Sequence, residues 1–144
     1  MTVTQLSVYM ENKPGRLAAV ISKLSEADIN IRALSLADTS DFGLVRLIVS
    51  DPERGRDILK EMTLVFSNRV LAVEMDDRSG ALSAILDALK EGAVNVEYMY
   101  AFTGKQPYSA YVVMQVDDMK RAEEVLDREK IRTLCDEDLP EYRG

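Results

Sequence analysis

The sequence has 144 residues, of which 47% are apolar and 30% are charged, a composition typical of one ordinary globular domain or two very small ones. Its 25 acidic and 18 basic residues give a net charge of −7, which argues against nucleic acid as a partner. There is no histidine, and Cys135 is the single cysteine, so an intrachain disulfide is impossible. The sequence has no secretory signal and no apolar segment long enough to span a membrane, so we expect a cytoplasmic protein without membrane contact.

The chain repeats itself at a spacing of 65 residues. Aligning 6–37 with 71–102 gives nine identical positions out of 32. Each copy begins with a strand that is apolar at alternate positions, followed by a helix with apolar residues every three or four positions. The strand residues are Leu6, Val8 and Met10, matched by Leu71, Val73 and Met75. The helix residues are Leu17, Val20, Ile21 and Leu24, matched by Leu82, Ile85, Leu86 and Leu89.

A second strand, a third strand and a second helix follow in each copy. The second strands are predicted around 29–31 and 94–96 and the third strands at 44–49 and 110–116, with two extra residues in the loop at 103–108. Asp51, followed by Pro52, and Asp118 are predicted to cap the second helices. Their predicted buried residues are Ile58, Leu59 and Met62 in the first copy and Ala122, Val125 and Leu126 in the second.

Short closing strands are predicted at 64–66 and 131–134, with a turn at 67–69 between the copies. The resulting order predicts an α+β protein of two tandem ferredoxin-like βαββαβ units, 1–68 and 69–144. Each unit should contain an antiparallel four-stranded sheet with two helices on one face. Because units of this size are only marginally stable alone and edge strands invite pairing, we expect a shared interface and a homodimer or higher homo-oligomer.

No pair of residues suited to catalysis stands out. Cys135 has no histidine to activate it, and its acidic surroundings at 135–138 disfavour a thiolate. The same acidic segment lacks the spacing and the glycine of a calcium loop, and the chain contains no glycine-rich phosphate-binding motif. We therefore expect no catalytic residues, no metal site and no cofactor.

The turn between the first strand and the first helix, 10–17, is the most informative segment. Pro14 and Gly15 end the strand sharply, and the glycine permits close approach of a ligand or another backbone. Helix N-terminal amides favour an anion such as a carboxylate. Asn12 in the turn and Asn30 at the head of the second strand could add donors and acceptors for an amino acid. The alternative is structural: Asn12 caps the helix and Asn30 fixes the turn before the strand.

The segments 11–17 and 27–31, with Asn30 fifteen residues after Gly15, resemble the signature of the ACT domain. This family consists of small regulatory modules that bind amino acids and have the β-α-β-β-α-β fold. The resemblance covers essentially the whole chain as two tandem copies without a catalytic domain. It implies a regulatory protein, not an enzyme, that binds a free amino acid and acts on its own assembly or on a partner such as a metabolic enzyme. The alternative is a ligand-free module for dimerisation or for docking on such an enzyme.

The resemblance also implies a ligand site where two ACT units meet, between the first turn of one unit and the second strand of its neighbour. In the first copy its residues would be Asn12, Lys13, Pro14, Gly15, Arg16, Leu17, Asn30 and Ile31. The second copy keeps Gly80 and Asn95, but Asp77 replaces the first asparagine and Ser79 replaces the proline. Asp77 would repel a carboxylate or could hold an ammonium group, so binding at the second turn stays open.

The second copy carries Tyr98, Met99 and Tyr100 where the first copy has smaller side chains at 33–35. We expect an asymmetric site, with the helix N-terminus and Asn12 from one unit and this aromatic wall from the other. The alternative is ordinary packing of tyrosines in a strand. A related fold binds RNA through strand aromatics, but on central strands in basic surroundings, which this acidic chain does not offer.

Overall fold

The computed structural model describes residues 1–38, 42–104 and 106–139. The elements in chain order are β1 (Val3–Glu11), α1 (Arg16–Glu26), β2 (Ile31–Asp38), β3 (Phe42–Val49), α2 (Pro52–Leu59), β4 (Leu64–Asp76), α3 (Ala81–Glu91), β5 (Val96–Thr103), β6 (Ser109–Val116), α4 (Met119–Arg128) and a short 3-10 helix, Asp136–Asp138. The chain forms two compact units, an N-terminal unit of Thr4–Asn68 and a C-terminal unit that continues from Arg69 and includes Met1–Val3. The predicted α+β class and tandem ferredoxin-like architecture are confirmed.

The N-terminal unit has the strand order β2-β3-β1-β4, with β2 at one edge. Both β1 and β2 run antiparallel to β3, so paired residues such as Leu6 and Leu47 point to the same face. That face is covered by α1 and α2, whose apolar stripes complete the core. The core residues are Leu6, Val8, Met10, Val20, Leu24, Ile29, Val45, Leu47, Val49, Leu59 and Val65.

The C-terminal unit has the strand order β4-β6-β5, three strands where the sequence predicted four, and β5 takes the place of β2 at the edge. Its core is formed by Leu71, Val73, Ile85, Leu89, Val94, Val112, Met114, Val116, Ala122 and Leu126. The predicted closing strand at 131–134 is wrong, because this segment makes only an isolated bridge between Val73 and Thr133. Two backbone hydrogen bonds hold it: Leu134 N–H to Ala72 O at 2.9 Å and Glu74 N–H to Arg132 O at 3.1 Å.

The predicted turn at 67–69 is also wrong. These residues lie inside β4, a single strand of 13 residues whose first five belong to the N-terminal unit. The segment Leu64–Asp76 contains no glycine or proline, so nothing in it interrupts an extended backbone. Five residues separate β5 from β6 and three separate β2 from β3, which confirms the two extra residues in the second copy.

The second helices begin where the sequence predicts. Asp51 Oδ1 accepts a hydrogen bond from Arg54 N–H at 3.2 Å, and Asp118 Oδ1 accepts one from Arg121 N–H at 3.1 Å. The buried residues of α4 and the burial of Leu59 are confirmed, and Ile58 packs partly against the core. The burial of Met62 is wrong: α2 ends at Leu59, so Met62 leaves the helical stripe and is 42% exposed.

Candidate ligand site

The turn between β1 and α1 is held by its own backbone. Lys13 N–H donates to Glu11 O at 2.9 Å, and Arg16 N–H donates to Lys13 O at 3.3 Å. Gly15 is the N-cap of α1 with φ 84° and ψ −9°, a left-handed conformation that favours glycine. Among the described residues, no heavy atom beyond the immediate chain neighbours lies within 4 Å of the position that a Cβ on Gly15 would occupy, so this point of the turn faces open space. Gly15, and not Asn12, is the N-cap residue of α1, so the interpretation of Asn12 as that residue is wrong.

The turn between β4 and α3 has the same backbone geometry. Arg78 N–H donates to Asp76 O at 2.9 Å, and Ala81 N–H donates to Arg78 O at 3.3 Å. Gly80 caps α3 with φ 91° and ψ −17°, again with nothing within 4 Å of a Cβ. In both turns the first helical hydrogen bond reaches the glycine carbonyl at 3.0 Å, from Ala19 and from Ala84. The sequence differences between the turns therefore change their chemistry and leave the backbone unchanged.

The N-terminal turn carries more positive than negative charge. Lys13 Nζ lies 2.9 Å and Arg16 Nη2 lies 3.8 Å from Glu11 Oε2. The hydrogen bond and charge of Lys13, followed by the charge of Arg16, lower the pKa of the Glu11 carboxyl. All three side chains are about half exposed or more, so each ion pair adds little stability. Two basic groups and one acidic group give this turn a formal charge of +1.

The C-terminal turn has the opposite charge. Arg78 Nε lies 3.3 Å from Asp76 Oδ2, and Asp77 adds a second carboxylate. Ala81, which is buried, takes the position of Arg16. Two acidic groups and one basic group give this turn a formal charge of −1.

Asn12 and Asn30 of one unit lie at opposite ends of its sheet. Glu11, next to Asn12, pairs with Phe42 at one end of β3, whereas Ile31 pairs with Val49 at the other end. Seven residue steps separate these ends, or about 23 Å at about 3.3 Å per residue. A single unit therefore cannot bring both asparagines to one amino acid. Asp77 and Asn95 are separated in the same way, because Asp76 pairs with Ser109 and Val96 pairs with Val116.

Asn30 and Asn95 precede their strands and hold the strand ends through their backbones. Asn30 N–H donates to Ser50 Oγ at 2.9 Å, and Ser50 N–H donates to Asn30 O at 2.9 Å. Asn95 and Asp117 make the corresponding pair at 2.9 and 3.1 Å. The side chains of both asparagines are exposed. The backbone of Asn30 therefore fixes the turn before β2, as the alternative interpretation predicts, and the backbone of Asn95 does the same before β5. The side chains of both residues lie at the surface.

Tyr98, Met99 and Tyr100 do not line one surface. Met99 pairs with Met114 and packs against the C-terminal core. Tyr98 and Tyr100 pair with Gln115 and Val113 on the face that carries no helix. The expected aromatic wall is therefore wrong for Met99, because neighbouring strand residues point to opposite faces. In the N-terminal unit, Leu17 and Ile31 likewise pack partly against the core.

Sequence reasoning predicted the loop between β5 and β6 but missed its contact with the C-terminal turn. Tyr108 has φ 66°, its side chain is 86% exposed, and its carbonyl accepts a hydrogen bond from Asp77 N–H at 2.6 Å. This contact connects the loop to the C-terminal turn. The two extra loop residues were the only signal of it in the sequence.

Residues 1–38, 42–104 and 106–139 contain no group of three or more His, Cys, Asp or Glu side chains that could hold a metal ion. Within these ranges, no helix combines the length and the apolar character needed to span a membrane.

Comparisons with known proteins agree with this fold. A family model described as an ACT domain pair matches residues 1–142, so the chain belongs to the ACT domain pair family. Among solved structures, protein BT0572 from Bacteroides thetaiotaomicron is 37% identical with a TM-score of 0.90, and the match covers 96% of each chain. A comparison with curated proteins finds no match.

More distant structures share the fold. The ligand-free regulatory subunit of aspartate kinase from Thermus thermophilus is 15% identical with a TM-score of 0.63, and the match covers 88% of this chain and 90% of that one. The corresponding subunit from Thermus flavus is 13% identical with a TM-score of 0.60 and covers 87% and 90%.

Proposed function

We propose that this chain is a regulatory sensor that binds a free amino acid at a junction between ACT units and has no catalytic activity of its own. Each unit, 1–68 and 69–144, would be one ACT domain. The observation that supports this best is the N-terminal turn. There Gly15, the N-cap of α1, faces open space and lies beside a net positive charge. The likeness to regulatory subunits of aspartate kinase is consistent with a regulatory role.

The chemistry of the turn suits the carboxylate of an amino acid. The amides of Leu17 and Ala18 precede the first helical hydrogen bond of α1, and amides at such positions attract anions. Lys13 and Arg16 add positive charge beside them. The proposed contacts from this turn are Asn12, Lys13, Pro14, Gly15, Arg16 and Leu17.

A neighbouring unit would supply the other half of the site. The strands β2 and β5 lie at sheet edges, and Leu34 and Leu36 on β2 are each about half exposed. Antiparallel pairing of two such edges places the start of one strand beside the end of the other. The Asn30 end of one unit would then lie at the turn end of its neighbour, with Ile31, Asn95, Tyr98 and Tyr100 as further proposed contacts from the second strands and the residues that precede them.

This arrangement couples ligand binding to assembly. An amino acid that contacts two units stabilises the arrangement in which both contacts form. We therefore propose a homodimer or higher homo-oligomer as the functional form and a metabolic enzyme in the cytoplasm as a partner, without nucleic acid or membrane binding.

A thermal-shift panel of the twenty free amino acids on the full chain tests this function. A ligand at 100 times its Kd should raise the free energy of unfolding by about 2.7 kcal/mol. Gly15→Val should abolish the response, because a β-branched side chain is strained at φ 84°. Circular dichroism of the variant must remain native for this result to count. No stabilisation by any of the twenty amino acids would contradict the sensor.

The second candidate function is a ligand-free module for dimerisation or docking. It is favoured by apolar residues exposed on the N-terminal unit: Leu34 and Leu36 on the edge strand, and Tyr9, Phe42 and Phe66 elsewhere on the sheet. Analytical ultracentrifugation separates the two functions. A docking module would keep the same sedimentation coefficient with and without each amino acid, whereas the sensor, whose assembly is coupled to ligand binding, would change it.

A further inference from the structure

We infer that the C-terminal turn, Asp76–Ala81, is closed to the amino-acid carboxylate, so that each chain binds this ligand through its N-terminal turn alone. The inference rests on the proposed function. Because the two turns share these backbone hydrogen bonds and their left-handed glycines, we attribute the difference in binding to their side chains.

Charge determines which of the two turns accepts the ligand carboxylate. Asp77 places a carboxylate where the N-terminal turn has the neutral Asn12. Arg78 lies 3.3 Å from Asp76, and Ala81 cannot supply the charge that Arg16 gives to the other turn. The formal charge therefore falls from +1 at the N-terminal turn to −1 at the C-terminal turn. A ligand carboxylate is attracted by the first turn and repelled by the second.

The loop between β5 and β6 contacts the C-terminal turn and adds to its negative character. Asp77 N–H, one of the donors of the C-terminal turn, donates to Tyr108 O at 2.6 Å. The carbonyl dipole puts partial negative charge at the turn, in addition to the carboxylate of Asp77. Tyr108 adopts φ 66°, which side-chain-bearing residues rarely do, and its side chain is 86% exposed. The contact at the turn is therefore made by the backbone of Tyr108 and does not depend on its ring.

NMR on the uniformly 15N-labelled full chain locates binding directly. The probes are the twenty free amino acids, added one at a time. Binding to the N-terminal turn should shift the amide signals of Gly15, Arg16 and Leu17. The amides of Gly80 and Leu82 should stay unchanged at ligand concentrations that saturate the first turn.

Two matched variants test the charge argument, each exchanging an exposed amide and carboxylate of nearly equal size. Asn12→Asp should weaken binding at least tenfold, because it gives the N-terminal turn the carboxylate of the other copy. Asp77→Asn should change the affinity less than twofold. Isothermal titration gives both affinities, and the stoichiometry of the wild type should be one ligand per chain.

Two results would overturn the inference while leaving the sensor intact: equal shifts at both turns, or a loss of affinity in Asp77→Asn as large as in Asn12→Asp. No shift at either turn with any of the twenty amino acids would instead refute the proposed function, and the inference with it. The wild-type spectra decide the question even if a variant fails to fold.

Discussion

Replacing Gly15 by alanine should destabilise the protein by backbone strain alone. Its φ of 84° costs a side-chain-bearing residue about 1–2 kcal/mol, and the reduced entropy of the unfolded chain offsets about 0.4–1 kcal/mol of this. No steric term is added, because nothing lies within 4 Å of the new Cβ. The net loss should be about 1 kcal/mol. With an unfolding entropy of about 2.1 cal/mol/K per residue, this lowers Tm by about 3 °C for a chain that melts in one transition.

Gly80→Ala is the matched control, because Gly80 has φ 91° and the same open surroundings. Calorimetry should give similar losses for the two variants in the absence of ligand. With the amino acid that stabilises the wild type, Gly15→Ala should lose that stabilisation and Gly80→Ala should retain it. Equal retention in both variants would remove the N-terminal turn from the site. Unchanged stability of both would mean that the turns do not adopt positive φ in solution.

Three further predictions concern single side chains. Asn30→Ala should weaken amino-acid binding by roughly 1.5–3 kcal/mol in calorimetric titration, the loss typical of a hydrogen bond to a charged group; unchanged affinity would exclude Asn30 from the site. Asp118→Ala should cost about 1 kcal/mol in urea unfolding, since the N-cap of α4 loses its acceptor, and no loss would contradict that role. Lys13→Met should raise the pKa of the Glu11 carboxyl, as followed by carboxyl 13C NMR, and an unchanged pKa would refute the contact. Because the pKa of Glu11 is lower in the folded state, the small contribution of this carboxylate to the stability of the fold is present above the unfolded-state pKa. It is lost as the pH falls through the folded-state pKa.

Much of the fold could be predicted because its signals are local. The helix caps at Asp51 and Asp118 and the apolar periodicity of α1 and α3 lie within short segments, and the repeat shows each signal twice. The predictions were wrong where one local sequence pattern is compatible with two structures. Ser67 is polar and follows a short apolar run, which is typical of a turn. The structure instead has one continuous strand there, because β4 is hydrogen-bonded to both β1 and β6.

The site was less predictable because pairing register is invisible in a single sequence. Asn12 and Asn30 are 18 positions apart in the chain, and only the pairing of β1 and β2 with β3 places them at opposite ends of the sheet. The contact of Tyr108 with Asp77 depends on the path of a loop and has no motif. The placement of Tyr98 and Met99 on opposite faces of the sheet could have been predicted, since side chains of neighbouring residues alternate between the faces of a strand.

The matching backbones of the two turns bear on how a duplicated protein diverges. Within each turn the unusual dihedral angles belong to Gly15 and Gly80, and the variable positions on either side need no special conformation. Mutation at these positions can therefore alter recognition in one copy without endangering folding in either. The residues that fix the backbone of the turn differ from those that recognise a ligand. After a gene duplication of this kind, one copy can therefore keep its ligand specificity while the other changes.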